Sequence, residues 1–163
     1  MSLHRYSFAA LRGDYARAAT GVLLTAGLAA LAEGQPVATA VLGSTALIFL
    51  AFGVRTWLRH RTTVEVGENG ISTSGGRYVN LSWSELSALK LRYYATKRDR
   101  TGGWMQLTLA AGRRRLSLES SLEGFAELVR RAALAASANE LALDSSTQSN
   151  LLALGITPPS EPA

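Results

Sequence analysis

Two stretches without a charged residue dominate the first third of the sequence and limit what it can fold into. They cover residues 18–32 and 34–54. As a helix, the second stretch would be about 30 Å long, which is the thickness of a bilayer's hydrocarbon core. The first would be about 22 Å long and reaches further only if Arg17 extends to the interface. The sequence therefore predicts a transmembrane helical hairpin over residues 15–57, with spans at about 15–32 and 36–56.

Two other interpretations compete for the first stretch. It could be part of a helix pair in a soluble domain. It could also be the apolar core of a secretory signal peptide, since Ala30-Leu31-Ala32 resembles a small-residue cleavage site. A signal peptide would here need a long segment ahead of its core, and that segment contains Asp14. A second apolar stretch follows at once, which favours the membrane hairpin.

The charges around the two stretches are distributed asymmetrically. Arginines lie before the first stretch and after the second, whereas the connecting segment 33–36 has neither Lys nor Arg. The positive-inside rule predicts that both ends, including a tail over residues 1–14, are cytoplasmic and that the loop is outside. Aromatic residues at the ends suit the interfacial belt. The membrane-flanking residues are Arg12, Arg17, Arg55, Trp57, Arg59 and Arg61.

Small residues recur every four positions in both stretches. Gly21, Thr25 and Ala29 form one such stripe, and Thr39 and Gly43 form another. Stripes of this kind let two helices approach closely in lipid. An Ala-rich chain also produces them by chance, so both interpretations stay open.

The composition excludes several classes of protein. The 163 residues contain no Cys, which excludes a disulfide-stapled module and a cysteine-ligated zinc site. With 47% hydrophobic residues, the chain is not of the disordered class. The formal net charge is +5. Arginines that flank the two stretches account for this excess, so the basic character needs no nucleic-acid partner.

After residue 61 the pattern becomes β-like and then helical again. Short alternating segments separated by Gly-containing turns predict an antiparallel sheet or barrel. Ser120 and Glu123 form a capping-box pattern ahead of an amphipathic helix of about 16 residues, in which Glu127 and Arg131 can pair. The helix's apolar stripe is expected to cover the sheet: Leu122, Phe125, Leu128, Val129, Ala132 and Ala136. The expected strands are 62–66, 71–74, 78–83, 89–94, 104–109 and 115–118, and a short final helix spans 147–154.

The segment from residue 62 to 138 resembles a bacterial pleckstrin-homology-like (PH-like) domain. The resemblance rests on Gly70-Ile71, on Ser-Trp-Ser-Glu-Leu at residues 82–86 and on Ser-Leu-Glu-Gly-Phe at residues 121–125. It implies an α+β membrane protein of the bacterial inner membrane, in which a two-helix hairpin precedes a PH-like β-barrel or sheet capped by a C-terminal amphipathic helix. A short helix and tail over residues 139–163 complete the chain. The resemblance implies a binding or assembly module and no catalytic residue.

The sequence shows no pattern for catalysis, for a metal or for a cofactor. There is no P-loop, no G-x-G-x-x-G and no G-x-S-x-G. His4 and His60 lack the partners that a metal site needs. Glu119 and Glu123 are better explained by a helix start than by a carboxylate pair. We therefore expect a protein that is not an enzyme.

Basic residues in the β-rich segment are the candidates for binding. Lys90 and Arg92 are expected to share one face of a strand, because side chains alternate. The set could contact anionic lipid headgroups or an acidic partner, or it could be a solvated surface. The expected function is binding of a protein partner or an anionic membrane surface; the alternative is an accessory or assembly subunit of a larger membrane complex. The candidate lipid- or partner-binding residues are Lys90, Arg92, Lys97, Arg98, Arg100, Arg113, Arg114 and Arg115.

Overall fold

The structure is a computed structural model that describes residues 2–32, 34–76, 78–95 and 102–157. The chain divides into a helical hairpin, residues 6–61, and an α+β unit formed by residues 1–5 together with residues 62–163. The helices are α1 Phe8–Leu31, α2 Pro36–Arg61, α3 Phe125–Ala138 and α4 Ser145–Ala153. The strands are β1 Ser2–Arg5, β2 Thr63–Val66, β3 Gly70–Ser74, β4 Val79–Ser82, β5 Ala88–Tyr94, β6 Trp104–Ala111 and β7 Arg114–Glu119.

The helical hairpin has clear local signals at its ends. The Ser7 side chain accepts a hydrogen bond from the backbone N–H of Ala10 and caps α1. Gly34 takes the left-handed conformation, with φ at +76°, between the two helices. Pro36 begins α2, where its missing N–H costs nothing. The predicted helix pair is therefore present, although α1 begins well before the predicted boundary at residue 15.

The prediction of two transmembrane spans needs correction. Among the described residues, one helix, α2, is long and apolar enough to cross a bilayer. None of its most apolar stretch is buried within the protein. α1 falls short because Arg12, Asp14 and Arg17 occupy its first half. This leaves an uncharged part that is shorter than the hydrocarbon core is thick.

The α+β unit contains two antiparallel sheets, with strand orders β1-β2-β3-β4 and β5-β6-β7. Alternation along the strands buries one face of each sheet. In β5, for example, Leu89 and Leu91 are buried while Lys90 and Arg92 are exposed. The helical stripe predicted from Leu122 to Ala136 is buried as well. The six predicted strands and the α+β class are confirmed.

No closed barrel forms among the described residues. β4 ends at Ser82, and a short 3₁₀ turn over Trp83–Glu85 leads the chain into the second sheet. No hydrogen-bonded ladder joins the two sheets within the part of the chain that the structure describes. Instead, the Arg114 guanidinium donates to the backbone carbonyl of Asn80, 3.0 Å away, so a side chain connects β7 to β4. The sequence predicted either a barrel or a sheet, and the described residues form sheets.

The N-terminal residues form a strand that the sequence pattern does not predict. β1 pairs with β2, and Arg5 lies opposite Thr63. His4 points to the buried side and is 8% exposed. One of its ring nitrogens, Nδ1, lies 2.8 Å from the carbonyl oxygen of Glu123. Of the tail expected over residues 1–14, residues 2–5 therefore form an edge strand of the first sheet, and residues 8–14 belong to α1.

The capping-box prediction is wrong, because both of its residues have other partners. α3 begins at Phe125, after Gly124 in the left-handed conformation, and no side chain caps it. The Ser120 hydroxyl accepts from the N–H of Met105, and the N–H of Glu123 donates to the carbonyl of Arg5. The predicted pair of Glu127 with Arg131 is also replaced, since Glu127 binds Arg130 at 2.6 Å.

The short last helix is confirmed and covers the free edge of β5. The hydroxyl of Thr147 accepts a hydrogen bond from the N–H of Leu91 at 3.1 Å, and the Asn150 amide donates to the Leu91 carbonyl at 2.8 Å. Thr147 is fully buried. The polar side chains of α4 thus occupy the positions that another strand would take, which protects this edge from pairing with other chains.

Candidate binding surface

The strongest candidate surface is a basic groove between β4 and the β6–β7 turn. The cavity has a volume of about 330 Å³. Gly112, with φ at +55°, forms the tight turn that presents the arginines. Tyr78, which is 70% exposed, forms the opposite wall. The lining residues are Tyr78, Val79, Asn80, Arg113, Arg114 and Arg115. All three predicted arginines of the turn are therefore brought to one place.

The three arginines are not equivalent. Arg114 is held by its hydrogen bond to the Asn80 carbonyl, which makes it part of the groove wall. All three are exposed, and Arg113 and Arg115 lie on either side of Arg114 in the chain. A guanidinium presents several donors in a fixed plane and binds carboxylate or phosphate oxygens in pairs. The groove therefore has the chemistry to bind an anionic group.

A second, acidic groove adjoins the basic one. Its volume is about 550 Å³, and it shares Tyr78 and Asn80 with the basic groove. Glu65 and Glu68 lie in its lining, together with small side chains of the outer sheet face such as Ser72. Tyr78 and Asn80 thus lie between an acidic and a basic region. Sequence reasoning missed both residues as site members, because they join the arginines only through the fold.

Lys90 and Arg92 share the outer face of β5, as predicted, but Arg92 has an acidic partner. Its guanidinium lies 3.7 Å from the Asp144 carboxylate at the start of α4. Hydrogen bonds from the backbone and side chain of Thr147 lower the pKa of Asp144, and the charges of Arg92 and Lys90 lower the pKa further. The carboxylate therefore offsets positive charge on this part of the face. Lys97, Arg98 and Arg100 lie outside the described residues.

The residues predicted to flank the membrane lie near one end of the helical hairpin. Asp14 of α1 binds Arg17 at 3.0 Å and approaches Arg59 of α2 to 3.9 Å. The Arg61 guanidinium lies over the Trp57 ring, 4.4 Å from its centroid. Arg12 and Arg55 are exposed. The antiparallel helices thus place the first half of α1 beside the last turns of α2.

Close approach of α1 and α2 depends on one predicted small residue and on one that was not predicted. A Cβ at Gly21 would overlap the ring of Phe49, so a larger residue requires that ring to move. A Cβ added at Gly53 of α2 would lie 3.3 Å from the Cβ of Ala18, which is a tight contact. Gly43, from the second predicted stripe, has no neighbour within 4 Å of an added Cβ. Of the first stripe, Gly21 therefore lies at a packing contact between the two helices.

No group of three or more His, Cys, Asp or Glu side chains among the described residues could hold a metal ion. Comparisons with protein-family models, with curated proteins and with solved structures find no match to this chain. The PH-like resemblance therefore stays a prediction.

Proposed function

We propose that this protein is a non-enzymatic protein of the bacterial inner membrane, in which a two-helix anchor carries a cytoplasmic PH-like domain. The domain binds a protein partner or an anionic membrane surface through the basic groove. The observation that carries the proposal is the pairing of β1 with β2, because these strands stand on either side of the helical hairpin in the chain.

The pairing argues for an even number of membrane crossings. Arg5 and Thr63 are direct partners in one sheet, so both must lie on the same side of any bilayer. If α2 crosses the bilayer, the chain has to cross once more to reach its partner strand. α1 is the other long helix between them, and Arg17 can extend to the interface to lengthen its span. The argument supports a transmembrane hairpin even though α1 alone is less apolar than α2.

The architecture of the α+β unit supports a PH-like domain. A four-stranded and a three-stranded antiparallel sheet are followed by an amphipathic helix. The described residues form seven β-strands, and one of them, β1, lies ahead of the segment that carries the resemblance. On this proposal the membrane anchor is inserted between the first and second strands of the domain.

A labelling experiment tests the membrane topology. Because the chain has no Cys, single cysteines can be introduced at the exposed positions Gln35 and Ser117. We expect a membrane-impermeant maleimide to label Gln35→Cys in intact cells, and Ser117→Cys only after the membrane is opened. Labelling of both positions in intact cells, or of neither, would contradict the hairpin.

The basic groove is tested by replacing Arg113 and Arg115, the two arginines that flank Arg114 in the chain. Arg113→Ala with Arg115→Ala leaves Arg114 and its bond to Asn80 in place. Each Arg near an anionic surface contributes about 1 kcal/mol, so the double variant should weaken binding of the nanodisc-embedded protein to phosphatidylserine vesicles by about tenfold or more at low salt. Arg130→Ala with Arg131→Ala, on the exposed side of α3, is the matched control. Equal binding by both double variants would exclude the groove from membrane contact and leave an acidic protein as its partner.

An accessory subunit of a membrane complex is the second candidate. An open apolar groove of about 520 Å³ runs along the helical hairpin, with Phe49 and Gly53 in its wall. Such a groove could accept a helix of another membrane protein. Purification in mild detergent separates the two candidates: a stoichiometric partner that is lost on Gly53→Leu favours the subunit, and a lone protein argues against it.

A further inference from the structure

The apolar groove of the helical hairpin covers only part of the length of its two helices. Its lining runs from Tyr15 to Leu23 on α1 and from Phe49 to Trp57 on α2. Each side spans eight residue intervals, so the groove is about 12 Å long. Half of a bilayer's hydrocarbon core is about 15 Å thick. If α1 and α2 cross a bilayer, the groove therefore fits within one leaflet.

Small residues keep this groove open, and none of the described residues that line it is charged. Ala18 and Gly53 lie against each other between the helices, and Ala19 is exposed beside them. In a bilayer such a surface is covered either by a helix of another protein or by an acyl chain. A helix that crosses the hydrocarbon core is about 30 Å long, more than twice the length of the groove. The groove's length therefore favours an acyl chain.

One end of the groove, beside Tyr15 and Trp57, carries basic side chains. The Arg61 guanidinium lies over the Trp57 ring, 4.4 Å from its centroid, and His60 Nδ1 lies 3.3 Å from the Tyr15 hydroxyl. Arg12 precedes Tyr15 by three residues, and Arg61 follows Trp57 by four, so each lies on the groove side of its helix. Within the described ranges, neither arginine has an acidic partner. This end therefore offers two guanidinium groups to an anion.

Arg17 and Arg55 lie near the same end of the hairpin but on the other side of their helices. Each is two residues away from a groove aromatic, Tyr15 or Trp57, which turns it by about 200° around the helix axis. Arg17 is also bound to Asp14 at 3.0 Å. These two arginines therefore provide a matched comparison with the pair on the groove side.

We infer that the apolar groove binds an anionic phospholipid, with one acyl chain along the groove and the phosphate at the end that carries Arg12 and Arg61. Tyr and Trp concentrate at the membrane interface, which places Tyr15 and Trp57 at the level of the headgroups. Arg12 and Arg61 lie about 4.5 Å and 6 Å further along the helices, on the water side of these rings. Guanidinium groups bind phosphate oxygens in pairs, and basic pockets between membrane helices bind anionic headgroups. This inference rests on the proposed membrane anchor and is independent of the basic groove.

Native mass spectrometry of the full-length protein tests the lipid site, because it counts the lipids that stay bound. The protein is released from nanodiscs that contain phosphatidylglycerol and phosphatidylcholine in equal amounts. We expect the wild type to retain one phosphatidylglycerol in preference to phosphatidylcholine by about tenfold or more. Arg12→Gln with Arg61→Gln should abolish most of this preference. Arg17→Gln with Arg55→Gln removes the same charge from the same end of the hairpin and should keep it.

Further variants locate the acyl chain and separate this site from the basic groove. Ala19→Phe fills the apolar groove and should lower the retention of phosphatidylglycerol severalfold. Ala51→Phe, at an exposed position of α2 outside the lining, should not. Arg113→Ala with Arg115→Ala should keep the lipid preference, because these residues line the basic groove. Loss of the preference in this double variant would move the lipid to the basic groove and overturn the inference.

The wild-type protein separates failure of the lipid site from failure of the anchor. Equal retention of the two lipids by wild type in nanodiscs would overturn the inference and leave the anchor intact. A wild type that does not enter nanodiscs would overturn both. Equal losses in the two arginine pairs would show general attraction of charge and would overturn the groove as the site. A membrane protein that co-purifies from native membranes, and is lost with Ala19→Phe but not with Ala51→Phe, would also overturn it, because the groove would then hold a helix.

Discussion

At the scale of single residues, His4 links the N-terminal strand to the start of α3. Its Nδ1 lies 2.8 Å from the Glu123 carbonyl oxygen, and its Nε2 lies 2.9 Å from the Ser2 hydroxyl. The ring also lies against Gly124, the residue that precedes α3. A side chain near the N-terminus thus holds a turn more than a hundred residues away. Loss of this contact should loosen β1 without disturbing the rest of the first sheet.

Replacing Gly124 with Ala should destabilise the protein more than the same change at Gly112. Both glycines have positive φ, at +71° and +55°, so both changes carry the left-handed backbone cost of about 1–2 kcal/mol. An added Cβ at Gly124 would also overlap the His4 ring, whereas at Gly112 it meets nothing within 4 Å. Denaturant unfolding of the α+β unit measures both variants. Equal losses would mean that His4 does not pack against this turn.

At the scale of elements, strands in which apolar and polar residues alternate could be predicted from the sequence. Pairing between segments that are distant in the sequence could not. β2 to β7 follow from local alternation and from Gly-containing turns. β1 is only four residues long, and its partner comes after the whole hairpin, so local pattern carries no sign of it. Ser120 and Glu123 match a capping box in sequence, yet Met105 and Arg5 bind them instead. The basic groove could not be predicted for the same reason, because Tyr78 is distant in the sequence from the arginines and joins them only in the folded chain.

Thr147→Val should expose the dependence of β5 on α4. The change keeps the shape of the side chain and removes the hydroxyl that accepts from the Leu91 N–H. A buried N–H without a partner costs about 1–3 kcal/mol. Amide hydrogen exchange at Leu91 should accelerate, with a matching loss in unfolding free energy. Thr108→Val removes a hydroxyl from the outer sheet face and serves as the control. Similar exchange at Leu91 in both variants would argue against edge protection by α4.

The start of α4 should be sensitive to acid. Hydrogen bonds from Thr147 lower the pKa of Asp144 below its ordinary value of 3.8. The ionised form is therefore favoured by folding, and its stabilisation is present above pH 3.8 and is lost as the pH falls through the lower folded pKa. Asp144→Asn keeps a capping side chain without a charge. Unfolding free energies across this acidic range should fall more steeply for the wild type than for the variant. Parallel curves would show that the charge of Asp144 contributes nothing.

At the scale of the whole molecule, the order of elements along the chain links the sheet to the helical hairpin. The sequence predicts a helical pair followed by a separate domain. In the structure the pair lies between two neighbouring strands, so the domain is complete only with residues 2–5. Charge-free stretches show where the helices are, because apolar length is a local property. They carry no information on which strands will pair around the hairpin.

Replacing residues 7–61 with Asn-Gly should therefore give a soluble, folded α+β unit. Arg5 and Thr63 are direct partners, so Tyr6 and Thr62 would flank a two-residue loop of the type that Asn-Gly favours. A simple truncation to residues 62–163 lacks β1 and the His4 contact. Its unfolding free energy should be lower by about 2 kcal/mol or more, since each net hydrogen bond contributes about 0.5–1.5 kcal/mol. Its unpaired β2 edge should also promote association, which size-exclusion chromatography detects. Equal stability of the two variants would contradict the β1–β2 pairing, and with it the argument that both ends of the hairpin lie on one side of the membrane.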